Sequence, residues 1–142
     1  MNNISDEFKE LVSRSLSDYN NCLSDNDDET FLTIDSPCQE LGSLKARVLE
    51  KEIIISIKNF HTHIDSRLVK IGESDSIASH AISMIKKIIG GDFYFNETYT
   101  GDKLNSPGAG PQRLTKGDKK LLVQMFGEGT YTKEWSWFGA VE

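Results

Sequence analysis

The sequence predicts an α+β fold: a mostly antiparallel sheet with two helices packed on it, in the order α-β-β-β-α-β-β-β. Two stretches carry apolar residues at helical three- and four-residue steps. Several others alternate apolar and polar residues, or run β-branched, as strands do. The connections are short, which favours pairing between neighbouring strands of opposite direction. The 142 residues suit one domain, residues 1–142.

Phe8, Leu11, Val12, Leu16, Tyr19 and Leu23 define the first helix, from Ser5 to Leu23. Ser5 can cap it, with Asp6 and Glu7 in a first turn where the helix dipole favours acids. The segment Ser24–Asp25–Asn26–Asp27–Asp28–Glu29 breaks the pattern with turn formers. Phe31, Leu32 and Ile34 suggest a short strand ending at Ser36–Pro37. Leu44, Ala46 and Val48 alternate with Lys45 and Arg47, a strand with one wet face. After the polar connection Glu50–Lys51–Glu52, Ile53 to Phe60 reads as a central strand, in a hairpin with the one before.

The second helix spans Asp75 to Ile89, capped by Ser74 or Asp75 and stopped by Gly90–Gly91. Phe93, Phe95 and Thr98 mark another strand. Thr100 to Asp118, rich in Gly and Pro, reads as a long loop. Lys120 to Phe126 and Thr130 to Phe138, joined by Gly127–Glu128–Gly129, read as a final hairpin.

No apolar run approaches the roughly 20 residues a membrane span requires. The first residues lack the basic and apolar blocks of a secretion signal. The expectation is a soluble cytoplasmic protein with no membrane partner. Sixteen Lys and Arg against 22 Asp and Glu give a net charge of −6. That balance argues against nucleic acid as a partner and fits either simple solubility or a basic protein partner. Cys22 and Cys38, without CxxC spacing, read as free thiols.

His61–Thr62–His63 is the sharpest local feature. On extended chain, i and i+2 imidazoles point to one side, which is half of a metal site. Barrel-type metallohydrolases place such a pair at a strand end, but need a barrel this length cannot supply. Metal-dependent deubiquitinase-type peptidases follow the pair with a Ser where this chain has Gly72. The third ligand would have to come from His80 or a distant carboxylate. A small metal-dependent hydrolase using His61 and His63 with an acid such as Asp65 is the alternative reading. The plain one is a polar strand end, and no cofactor is called for.

The acids Asp25, Asp27, Asp28 and Glu29 fail as an EF-hand loop, because the sixth and twelfth positions from Asp25 are Thr30 and Ser36. They read as a solvated loop or as a surface for a basic partner. The segment Pro107–Gly108–Ala109–Gly110–Pro111 lacks the Lys-Ser/Thr pair of a phosphate cradle. Tyr131, Trp135 and Trp137 would share one side of a regular last strand. Such a stripe is core, or, at a sheet edge, an interface, where Trp and Tyr are enriched. No nucleophile is marked by its neighbours, so no catalytic residue is assigned.

Phe31–Leu32–Thr33–Ile34–Asp35–Ser36–Pro37, Glu50–Lys51–Glu52–Ile53–Ile54–Ile55–Ser56–Ile57 and Phe60–His61–Thr62–His63–Ile64–Asp65 resemble segments of small bacterial immunity proteins. These accompany polymorphic toxins, including those of contact-dependent growth inhibition. The resemblance covers residues 31 to 90 and fits the length and acidity. It implies a protein that is no enzyme and that binds a cognate toxin, often a nuclease, masking its active site or substrate surface. Asp25, Asp27, Asp28, Glu29, Trp135 and Trp137 are the expected contact residues.

Overall fold

The computed structural model of the chain describes residues 3–26, 29–71 and 76–141. Helix α1 spans Ile4–Ser15. Its cap is Asn3, two residues before the expected Ser5, with the Asn3 side chain accepting from the Asp6 amide at 2.8 Å. The helix does not reach Leu23. Leu16 leaves helical geometry, and Ser17–Cys22 winds as a 3-10 turn. Ser, Asp and Asn side chains compete with the backbone for hydrogen bonds, and the turn Ser17–Cys22 is built largely of them.

Strand β1, Leu23–Asn26, lies where a break was expected. It is an edge strand, so Asp25 and Asn26 can face water while their backbones pair with β2, Glu29–Asp35. Strands β3 (Ser43–Val48), β4 (Ile53–Ile57) and β5 (Phe60–Ile64) complete a five-stranded antiparallel meander in sequence order. The expected single strand from Ile53 to Phe60 is therefore two strands. The tight turn at Lys58–Asn59 divides them, with Lys58 at φ +53°.

A short helix α2, Ser66–Ile71, precedes α3, Ile77–Ile89. Ser76 caps α3 by a reciprocal bond with Ser79 and also donates to Glu7 of α1 at 2.6 Å. The expected caps Ser74 and Asp75 lie outside the described residues. Helices α1 and α3 pack on one face of the meander. Phe8 and Val12 of α1 and Ala81 and Ile85 of α3 belong there to one buried cluster with Leu32, Leu44, Ala46, Ile53 and Ile55 of the sheet. Fully burying a Phe, Val, Leu or Ile side chain stabilises by about 1.5–3 kcal/mol.

A second antiparallel sheet follows, in the order β7-β6-β8-β9. Its strands are β6 (Tyr94–Thr100), β7 (Lys103–Gly110), β8 (Thr130–Ser136) and β9 (Gly139–Val141). The expected loop from Thr100 to Asp118 thus contains β7. As an edge strand it tolerates Pro107 and its glycines. The expected strand from Lys120 to Phe126 is helix α4, Lys116–Phe126. Thr115 and Asp118 form a reciprocal cap, and Gly127, at φ +99°, ends the helix. Lys119, Leu122 and Phe126 give α4 a half-buried side at helical spacing. Among the described residues, no helix is long and apolar enough to cross a membrane.

Candidate binding site

Alternation splits the meander into two unlike faces. Thr30, Leu32, Ile34, Leu44, Ala46, Val48, Ile53, Ile55 and Ile57 point to the helices and are buried. The residues between them line an open face. Registers place Phe31, Arg47, Ile54 and His63 in one cross-strand row. Thr33, Lys45, Ser56 and His61 form the next.

Glu29 and Glu52 border the first row. Arg47 donates to both oxygens of Glu29, at 3.2 and 2.5 Å. The Glu29 carboxylate holds the guanidinium pKa above its usual value. His63 Nδ1 bonds Glu52 Oε1 at 2.8 Å. Lys45 and His61 have no ion-pair partner among the described residues.

The two histidines share this face as their spacing predicts, their rings edge-on at 5.4 Å between centroids. Asp65 turns instead to Arg67, which bonds it at 2.8 Å and holds its carboxyl below the usual range. His80 lies on α3, across the sheet. Among the described residues, no three His, Cys, Asp or Glu side chains gather as a metal site needs.

Of the acid run, Asp25 lies on β1 and Glu29 on β2. Asp25 pairs with Lys9 at 2.9 Å and accepts from Thr30 at 2.8 Å; the bonds from Lys9 and Thr30 lower its pKa. Glu29 belongs to the open face. Asp27 and Asp28 lie outside the described residues.

The tryptophan stripe is core and presents no surface. Trp135 is 2 % exposed and Trp137 4 %. Trp135 Nε1 donates to Glu40 at 3.3 Å, and the Trp137 carbonyl accepts from Ser36 at 2.6 Å. Trp137 lies in the β8–β9 turn rather than in a regular strand. Tyr131 stays exposed, stacked on Tyr99.

Two buried carboxylates escaped the sequence reading. Glu97 on β6 accepts from Asn59 and, at 2.6 Å, from the Tyr99 hydroxyl. Lys58 stands 3.6 Å away. The Glu97 bond and burial raise the Tyr99 pKa to about 12, so its hydroxyl stays a donor.

Glu134 on β8 accepts from the Leu114 amide at 3.1 Å and pairs with Lys119 at 3.2 Å, holding α4 to the sheet. Burial pushes its carboxyl up. The Leu114 amide, Lys119 and Arg113 outweigh that, leaving it below the ordinary value. A lowered carboxyl stabilises above its unfolded pKa of about 4.3 and stops doing so as pH falls through the folded one. Hydrogen exchange below pH 4 is expected to lose protection in α4 before the meander. Simultaneous loss in both would contradict this.

Phe31, Lys45, Arg47, Ile54 and Ser56 were not singled out as site residues from the sequence. The signal for two of them was there, in the Lys45–Arg47 alternation that marked a wet face. Compared with known protein families, curated proteins and solved structures, the chain matches none of them.

Proposed function

We propose that this protein acts by binding, as an immunity protein that neutralises a cognate toxin by covering its active site or substrate surface. The carrying observation is the pairing of β1 with β2, which brings Asp25 and Glu29 to one end of the sheet, with Asp27 and Asp28 between them in the sequence. Lys9 and Arg47 answer two of them, Asp25 and Glu29. A nuclease surface that binds phosphates is basic, and an acid-rich sheet edge complements it. Such complementarity speeds encounter and fixes register more than it raises affinity. The resemblance of residues 31 to 90 to immunity proteins supports the same reading.

Asp27→Lys with Asp28→Lys is expected to slow association about 10-fold at low salt and to flatten its salt dependence. The measurement is stopped-flow association with the toxin recovered from the native host by pull-down on the wild-type protein. Rates equal to wild type across the salt series would remove these acids from the interface.

A further inference from the structure

We propose that the open face of the five-stranded sheet is a self-association surface, covered by the same face of a second copy of this chain. The proposal stands apart from the toxin reading and shares with it only the Arg47–Glu29 pair. Its basis is the charge pattern of the face. The acids Glu29 and Glu52 lie along one margin. The apolar side chains Phe31 and Ile54 lie in the middle row, and the ammonium of Lys45 and the imidazole of His61 in the row beyond.

Two such faces can pack about 10 Å apart, around a two-fold axis lying between the sheets and running along the middle row. That axis exchanges the margins and leaves the middle row facing itself. Phe31 and Ile54 then meet their own counterparts. Arg47 also meets its copy, each guanidinium already neutralised by Glu29. Glu52 faces Ser56 of the second copy. Cross-strand registers place Lys45 and His61 on either side of that serine. Each Glu52 keeps its bond to His63 and has lone pairs left for the second copy's Lys45 ammonium and His61 imidazole.

The same axis brings Glu29 over Thr33 of the second copy, beside Lys45. The pattern is therefore self-complementary: the Glu29–Glu52 margin meets the row of Lys45 and His61 twice, and the row of Phe31, Arg47 and Ile54 meets itself once. A face of five short strands is at the small end of stable interfaces, so the dimer is expected to be concentration-dependent.

The test is sedimentation velocity from about 5 to about 500 μM at low salt, the range in which interfaces of modest size associate. Wild-type mass is expected to climb toward twice that of the chain. Glu52→Lys alone and Lys45→Glu alone should each stay monomeric, from like charges across the axis. Their equimolar mixture should associate again, because each carries the charges the other lacks. The double variant K45E/E52K should also associate.

Ser56→Arg, facing Glu52, should tighten the dimer, and Ser56→Asp should loosen it. Circular dichroism melts establish that each variant is folded. A wild-type protein monomeric over the whole range overturns the proposal. So do single variants that associate as wild type does, or a mixture that stays monomeric.

Discussion

Replacing Lys58 with Met is expected to lower stability by about 3 kcal/mol, since removing one partner leaves a buried charge uncompensated. Lys58 occupies the turn between β4 and β5 at φ +53°, a left-handed conformation that costs a side-chain-bearing residue about 1–2 kcal/mol. Glycine or asparagine is the usual occupant of such a turn. The ammonium group explains the lysine. It sits 3.6 Å from Glu97, 4.8 Å from the centre of the Trp135 ring and 3.3 Å from the Glu40 carbonyl. The turn of one sheet is thereby tied to the strands of the other.

With Met at position 58, the donors left to Glu97 among the described residues are the neutral Asn59 and Tyr99, at a side chain 3 % exposed. Urea denaturation of three variants checks the account. Lys58→Gly should cost less than Lys58→Met, because glycine relieves the backbone. Lys58→Met combined with Glu97→Gln should recover more than half of the loss, because no charge is then stranded. Equal losses in the Met variant and the double variant would sink the argument.

Trp135→Ala is expected to cost about 3–5 kcal/mol, as large aromatic truncations in cores do. For a chain of this length that corresponds to a Tm lower by about 10–17 °C. The ring is closed in by Lys58 and bonded to Glu40, and it belongs to the same core as Phe95 and Trp137. Native emission should be blue-shifted and poorly quenched by acrylamide. A melting point within a degree or two of wild type would return Trp135 to the surface.

What the sequence made legible was local. Alternation at Leu44–Val48 marked a strand with one wet face, and the Ile77–Ile89 helix announced itself by spacing and by the two glycines after it. The misses share a cause: short-range pattern was overruled by pairing or capping. Ile53 to Phe60 reads as one run because a lysine at a left-handed turn position carries no turn signature. Gly- and Pro-rich Lys103–Gly110 becomes a strand because it lies on an edge, where lost donors face water. Lys120–Phe126 is apolar enough for a strand, but the Thr115–Asp118 cap starts a helix ahead of it.

Tryptophan at alternate positions fits both core and interface, and only burial separates them. The candidate site was half visible. The histidine pair and acid run are sequence-local, whereas the rows joining Lys45 to His61 and Arg47 to Glu29 depend on register across strands. That register is set by packing of the opposite face.

The meander also has a kinetic consequence. Each of its strands pairs with its sequence neighbour, so β1 to β5 assemble from contacts of small sequence separation. The second sheet must close β6 onto β8 across the whole of β7 and α4, joining Phe95 to Trp135. Loop closure of that length delays a transition state. On a growing chain the five strands leave the ribosome before β8 exists. The first sheet can therefore serve as the template on which the later strands condense.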